Sequence, residues 1–99
     1  MMTIKVFEEG NGVVIAPEGK IDHVTAEEFQ RRAAELAESH DNVTLDMTGV
    51  EYVSSAALRA ILYINDIMEN KGSLVLKNVN QKIQEILRIT GFIEYLDIK

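Results

Sequence analysis

The stretch that decides the fold is VTLDMTGVEYVSSAALRAIL, residues 43–62. It opens with a predicted strand over 43–47, because β-branched and long apolar side chains suit a covered sheet. A second short apolar piece over 50–53 leads into two serines and a strongly helical run. Ser54 and Ser55 therefore stand at a helix N-terminus just beyond a strand, which is where open α/β sheets usually carry their sites.

The helix that follows indicates which of these residues face solvent. Arg59, Asp66 and Asn70 lie at helical spacing from Ser55, whereas the remaining positions are mostly apolar, so the helix keeps one narrow exposed strip. Taken alone, a pair of serines at a helix start is a cap, because a hydroxyl accepts from a first-turn N–H. The alternative is a phosphate acceptor, because the helix dipole favours negative charge there.

The sequence DMTGVEYVSSAALR, residues 46–59, resembles the signature of STAS domains of the bacterial anti-sigma-factor antagonist type. In that family a strand ending in Asp and a hydrophobic loop precede Asp-Ser-Ser-Gly-Leu or Ser-Ser-Ala-Gly-Leu, which opens a helix. A second family signature, Gly-x-Leu/Ile-Asp, resembles residues 19–22. Ser54 stands where many members carry Asp, and Ala57 stands where Gly is usual. The likeness extends over nearly the whole chain.

The resemblance implies a bacterial protein that acts by binding. Ser55 matches the serine that a cognate kinase phosphorylates in the family. The unphosphorylated chain would bind an anti-sigma factor with serine-kinase activity and free the sigma factor, phosphorylation would end that binding, and a phosphatase would restore Ser55. The alternative is a STAS adaptor without this switch, in a stress-signalling assembly or a lipid-transport machine. The partner-binding residues would be Asp22, Ser54, Ala56, Ala57 and Arg59.

Composition excludes several other classes of protein. The net charge of −6 argues against nucleic acid, because phosphate binding needs clustered Lys and Arg. The chain has no cysteine, which excludes disulfides and thiolate metal sites. No apolar run reaches membrane-spanning length, and the N-terminus lacks the apolar segment of a signal peptide. We expect one cytoplasmic domain over residues 1–99, without membrane insertion and without a cofactor.

Catalysis fits the sequence poorly, so we expect no enzyme and no catalytic residue. A nucleophilic serine needs a base within hydrogen-bond reach, and only His23 has a chance of approaching Ser55. Two histidines, His23 and His40, without cysteine argue against a zinc site. Asp46 is predicted to anchor its loop, and Asp22 either orders the turn around Thr25 or touches a partner. A general acid/base pair of these two carboxylates stays open, although nothing in the sequence marks it.

The rest of the chain predicts the element order β-β-α-β-α-β-α-β. Gly10-Asn11-Gly12 marks an opening hairpin, a Thr25–Glu28 capping box starts the first helix, and Asn80 and Gly91 bound the last one. Strand–helix–strand units take right-handed crossovers and give parallel strands. The fold class is therefore α/β, a STAS-like mixed sheet with helices packed against it. The expected core consists of Ile21, Phe29, Leu36, Leu45, Met47, Leu58, Ile61, Leu62, Leu74, Leu76, Ile86 and Leu87.

Overall fold

A computed structural model describes residues 2–99 and shows a mixed sheet covered by three helices. The strands are β1 (Met2–Glu9), β2 (Gly12–Ile21), β3 (Asn42–Asp46), β4 (Val50–Val53), β5 (Ser73–Lys77) and β6 (Asp97–Ile98). The helices are α1 (Ala26–Ser39), α2 (Ser55–Glu69), α3 (Gln81–Thr90) and a single 3-10 turn (Phe92–Glu94). The predicted fold class and order are confirmed. The apolar piece before the serines adds one short strand, β4.

The long strand β2 organises the sheet, whose order is β1-β2-β3-β5-β6. β1 pairs with β2 in antiparallel fashion along its whole length, and Gly10 turns the hairpin at a φ of +61°, a region that favours glycine. The first residues of β2 pair with β3 in parallel, and its last residues, Gly19–Ile21, pair in parallel with β4. β2 therefore pairs with both of the strands, β3 and β4, that precede α2 in the sequence.

All three helices lie on one face of the sheet. The crossovers β2-α1-β3, β3-α2-β5 and β5-α3-β6 all step in the same direction across the sheet, so right-handed connections place the helices together. Burial alternates accordingly along β3, where Leu45 is fully buried and Thr44 on the opposite face is half-buried. It follows that α1 and α2 are parallel and start at the same edge of the sheet.

The C-terminal ends of α1 and α2 are tied together by one side chain. Lys71, just after α2, donates from Nζ to the carbonyl oxygens of Ala37 and Glu38 at 2.7 and 2.8 Å. These are carbonyls of the last turn of α1, which lack helical partners and carry the negative end of the helix dipole. The contact fixes the relative height of the two helices.

The predicted helix ends are confirmed in two cases and wrong in one. Asn80 caps α3, because its side-chain oxygen accepts from the Ile83 backbone N–H at 2.8 Å, and Gly91 ends the same helix at a φ of +82°. Thr25 precedes α1, but its side chain makes no cap hydrogen bond to the helix. The capping box with Glu28 does not form, because the Thr25 hydroxyl bonds backwards to the preceding turn.

Most of the predicted core residues are buried between the helices and the sheet, and Phe29 and Ile61 are almost completely so. Leu36, Leu62 and Ile86 also pack against this core, but they are only partly buried and lie at its rim. Neighbouring helical residues point about 100° apart, so Ile61 and Leu62 cannot both face the sheet.

We predict that Ile61→Ala destabilises the protein by about 2–5 kcal/mol, because it removes a fully buried side chain and leaves a cavity. Leu62→Ala should cost clearly less, because part of that side chain already contacts water. Urea denaturation of both variants measures the difference. Equal losses would mean that the face of α2 turned toward the sheet is misassigned.

Asp46 anchors the loop between β3 and β4, as predicted. Its Oδ1 accepts from the Thr48 hydroxyl at 2.6 Å, from the Thr48 backbone N–H at 3.1 Å and from Asn78 Nδ2 at 3.1 Å. The Thr48 hydroxyl, followed by Asn78, holds the pKa of Asp46 below its usual value, because these donors stabilise the charged form. The ionised carboxylate therefore contributes to stability.

This contribution should disappear in acid. The pKa of Asp46 is lower in the folded than in the unfolded chain, so its stabilisation is present above the unfolded pKa and is lost as pH falls through the folded pKa. Asp46→Asn should lower the melting temperature at neutral pH. The gap from the unsubstituted protein should narrow between about pH 5 and about pH 2 in thermal melts. A gap that stays constant over this range would show that the Asp46 charge is not involved.

Candidate functional site

The two stretches that carry the predicted site meet at one edge of the sheet. Ile21 ends β2 and Val53 ends β4, and these two residues are direct partners in the parallel pairing. Asp22 and Ser54 are the next residues of their strands, and the Ser54 N–H donates to the Ile21 carbonyl oxygen at 2.9 Å. The sheet thus brings together residues that are more than thirty positions apart in the sequence.

Ser54 caps the N-terminus of α2. It adopts an extended conformation as the N-cap of α2, and its Oγ accepts from the Ala57 backbone N–H at 3.1 Å. Its carbonyl oxygen accepts from Leu58 N–H at 3.0 Å and begins the helical ladder. The hydroxyl of Ser54 is therefore already engaged in holding the helix start.

Ser55 is the first residue of α2, and its side chain is exposed. The first turn of α2 contains no acidic residue. Backbone N–H groups of a first turn lack helical partners and lie at the positive end of the dipole. An anion attached to Ser55 would meet favourable electrostatics from the helix itself.

Asp22 orders the turn that leads into α1. Its Oδ1 accepts from the backbone N–H groups of Val24 and Thr25, both at 2.9 Å, and from the Thr25 hydroxyl at 3.2 Å. The Thr25 N–H is the main cause that lowers the pKa of Asp22 below its usual value, because it stabilises the carboxylate. Of the two roles open for Asp22, the structure shows the ordering of the Thr25 turn.

The remaining site residues divide between surface and core. Ala56 is half-buried and Arg59 is exposed, and both contribute to an open groove between α1 and α2. Ala57 is fully buried and faces the core, so its side chain is not available to a partner, and the contact expected for it is wrong. This groove, called the α1/α2 groove below, is lined by residues that include Ala26, Gln30, Ala34, Ala56, Arg59 and Tyr63.

Tyr63, whose side chain is 47% exposed in the α1/α2 groove, was not among the predicted site residues. The sequence spacing could have identified Tyr63. Ser55, Arg59 and Tyr63 follow one another at four-residue intervals, so they share one face of α2. The residues that α1 contributes to the groove could not be found in this way, because they depend on how two separate helices pack.

The two histidines lie in different surroundings. His23 is exposed at the rim of the α1/α2 groove. His40 is buried, with Nε2 at 2.8 Å from Glu8 Oε1 and Nδ1 at 2.8 Å from the Leu36 carbonyl oxygen. Across residues 2–99, no group of three or more His, Cys, Asp or Glu side chains is placed to hold a metal ion. Within the same range, none of the helices is both long enough and apolar enough to span a bilayer.

Solved structures share this architecture. A crystal structure of an anti-sigma factor antagonist from Mycobacterium paratuberculosis superposes with a TM-score of 0.89 at 18% identity, covering 99% of this chain and 85% of that one. The phosphorylated form of the Bacillus cell fate determinant SpoIIAA superposes with a TM-score of 0.76 at 14% identity, covering 98% and 91%. The fold is therefore that of anti-sigma factor antagonists.

The sequence of the chain also resembles known sequences along most of its length. A Bordetella bronchiseptica protein, BtrV, named as a candidate anti-sigma factor antagonist, is 29% identical over 91 residues, which span 89% of this chain and 78% of that protein. The sequence model of the STAS domain matches residues 3–99. The chain belongs to the STAS domain family.

Proposed function

We propose that this chain is an anti-sigma factor antagonist whose binding is switched off by phosphorylation of Ser55. The observation that carries the proposal is the division between the two serines, because Ser54 caps α2 while Ser55 stays exposed. Ser55 can therefore be modified without breaking the contacts that hold the helix start. Membership of the STAS family, the likeness to BtrV and the shared fold support the same function.

The proposed partner is an anti-sigma factor with serine-kinase activity, which the unphosphorylated chain binds in the cytoplasm. The kinase supplies ATP, and the Ser55 Oγ attacks its γ-phosphorus. The bond between that phosphorus and the ADP oxygen breaks, and the hydroxyl proton passes to a base of the kinase. The chain thus takes part as substrate and as ligand. A phosphatase that hydrolyses the phosphoserine would restore binding.

A phosphate on Ser55 would have opposite effects in the free chain and in the complex with the anti-sigma factor. A phosphate brings about −1.5 to −2 charges to the start of α2, where free N–H groups and the dipole tolerate an anion. In the centre of a partner interface, the same charge would be desolvated without a matching cation and would cost several kcal/mol. Phosphorylation should therefore break the complex and leave the fold intact.

We expect a cognate serine-kinase anti-sigma factor, with ATP, to transfer one phosphate to this chain, and peptide mapping should place the phosphate on Ser55. Ser55→Ala should take up none. Ser54→Ala should still be modified, although loss of the cap costs about 0.5–2 kcal/mol of stability. Phosphate uptake by Ser55→Ala at Ser54 would place the acceptor one residue earlier, and no uptake by the unsubstituted protein would favour the adaptor function.

Ser55→Asp, which mimics the phosphate with one charge, should bind the anti-sigma factor at least about tenfold more weakly, a difference of about 1.4 kcal/mol. Its melting temperature should stay within a few degrees of that of the unsubstituted protein, because an acidic residue suits a helix N-terminus. Titration calorimetry and thermal melts on the same preparations measure both effects.

Gln81→Asp is the matched control for this experiment. Gln81 is also exposed, is the first residue of a helix and has no acidic residue in its first turn. This variant should melt like Ser55→Asp and bind like the unsubstituted protein. Weaker binding by both variants would point to net charge as the cause, and unchanged binding by Ser55→Asp would remove Ser55 from the interface.

A further inference from the structure

β1 forms one edge of the sheet and offers a row of unpaired backbone hydrogen-bonding groups. It pairs with β2 on one side, and no other strand within residues 2–99 pairs with it. The strand is eight residues long and matches β2 without a register shift. Proline and bulges, which many natural edge strands use to prevent further pairing, are absent from residues 2–9. The edge is therefore able to accept another strand.

The hairpin determines which backbone groups of β1 point outward. Gly10 and Asn11 form a two-residue loop, and Gly10 has a φ of +61°, as in a type II′ turn. In this turn the Gly12 N–H donates to the Glu9 carbonyl oxygen, so Glu9 directs its backbone groups toward β2. These directions alternate along an antiparallel strand. The even-numbered residues of β1 therefore direct their N–H and C=O groups to the free edge.

The side chains beside this edge carry a pattern that is complementary to itself. Lys5, Phe7 and Glu9 alternate with the partly buried residues of β1, so they lie on the face of the sheet that the helices leave uncovered. All three are exposed, Phe7 to 59%. A cation, an aromatic ring and an anion thus follow one another at equal spacing. When the segment is reversed, Glu9 falls opposite Lys5, so two copies match in the antiparallel direction.

We propose that β1 pairs with β1 of a second copy of this chain, antiparallel about a two-fold axis through Phe7, and joins the two sheets into one. In this register Phe7 meets its own copy, and Lys5 of each chain lies opposite Glu9 of the other. The outward groups of Val6 exchange hydrogen bonds with those of Glu8 in the second copy. Such an interface adds a strand to a sheet edge and uses the same patch on both chains, as two-fold dimers do.

The charges select this register over its neighbours. Outward groups must meet outward groups, so the axis passes through a residue and pairs even positions with even ones. An axis through Lys5 or Glu8 would set two like charges directly opposite each other, which destabilises a sheet. Lys5 is the only cation of β1, and it meets an anion of the second copy only when the axis passes through Phe7. These pairs are of the non-hydrogen-bonded kind, in which the side chains come closest.

The ion pairs within each chain are compatible with this contact. Lys5 Nζ lies 3.4 Å from Glu18 Oε2 on β2, and both side chains are well exposed. An ammonium group has three donors, so it can also contact Glu9 of the second copy from the other side. Glu8 lies on the opposite face of the sheet, where its Oε1 is 2.8 Å from His40 Nε2 at the end of α1. Its carboxylate is therefore engaged within its own chain.

The dimer should be weak. The paired segment is short, and interfaces of small area belong to transient complexes. The net charge of −6 on each chain also opposes association. We therefore expect the two copies to separate on dilution.

The proposed pairing leaves the phosphorylation site free. Met2 pairs with Gly19, near the edge of the sheet where Asp22 and Ser54 meet. Phe7 lies five residues from Met2, which is roughly 17 Å at about 3.4 Å per residue. The two copies of the site would face opposite ends of the joined sheet. The inference is therefore independent of the proposed function, and its test uses the chain alone.

Sedimentation equilibrium over a series of concentrations should show an average mass that rises from that of the monomer toward that of the dimer. Lys5→Glu and Glu9→Lys should each weaken self-association by at least about tenfold, because two favourable pairs in each dimer become two repulsive ones. An equimolar mixture of the two variants should associate again, because two acidic side chains of one chain then face two basic side chains of the other. The average net charge of this mixture equals that of the unsubstituted protein.

Two further charge changes serve as matched controls. Lys82→Glu and Glu69→Lys alter the net charge by the same amounts at exposed positions on α3 and α2, and both should associate like the unsubstituted protein. Phe7→Lys sets two cations on the axis and should also weaken association by at least about tenfold. It leaves the Lys5–Glu18 pair in place, so it keeps the test valid if Lys5→Glu does not fold. Thermal melts establish that each variant is folded.

Three results would overturn the inference. The first is a protein that stays monomeric at every concentration. The second is a dimer that survives Glu9→Lys and Phe7→Lys unchanged, or that Lys5→Glu and Glu9→Lys both weaken without recovery in their mixture. The third is growth beyond the dimer, because a two-fold pairing of one edge closes with two copies. Weakening by the single variants with recovery in the mixture would establish the pairing about Phe7.

Discussion

The parallel pairing between the end of β2 and β4 is the constraint on which the site depends. β4 has only four residues, and it reaches β2 through a register shift between Gly19 and Lys20. Gly19 has a φ of +104°, and its N–H donates to the Gly49 carbonyl oxygen at 2.8 Å. A side chain at Gly49 would meet Glu18 at 2.8 Å, so the two segments approach closely because glycine stands there.

The pairing of β2 with β4 fixes the backbone of the site. Two strands that end together deliver the turn before α1 and the start of α2 to the same place, so each is held by the other. Asp22 organises the first of these turns and Ser54 the second, and both do so with side chains that also face solvent in part. A partner that binds here meets backbone already fixed by hydrogen bonds, which lowers the entropy lost on binding.

Most of the fold could be predicted because its signals are local. The run from strand to serines to helix occupies twenty consecutive residues, and Asn80 and Gly91 mark their helix ends directly. The predicted capping box at Thr25 does not form, because Asp22 competes for the Thr25 hydroxyl. Asp22, three residues earlier, bonds the Thr25 hydroxyl and both N–H groups of the turn, which a pattern of four residues does not include. Leu62 was predicted to lie in the core and lies at its rim. The apolar pattern of a helix shows which residues are hydrophobic, but it does not show how wide the buried stripe is.

The site could be predicted only in part, for a different reason. The motif and the helical spacing predicted Ser55, Asp22 and Arg59 as site residues. The α1/α2 groove was not, because it arises from the packing of two helices whose sequences say nothing about their separation. The pairing of β4 with β2 was equally hidden, since four apolar residues between two turns do not reveal which strand they join. Contacts across long stretches of sequence are set by the whole core.

The two departures from the family pattern, at Ala57 and Ser54, affect different parts of the structure. Ala57, where the family usually has Gly, lies completely within the core, so its methyl group affects packing beneath α2 and leaves the outer surface unchanged. Ser54, where many members carry Asp, keeps the capping hydrogen bond but removes a negative charge beside the site. A carboxylate there would partly neutralise the helix dipole and repel an incoming phosphate. With a neutral cap, the start of α2 retains its positive potential, so a negative charge added at Ser55 would change the sign of the field there.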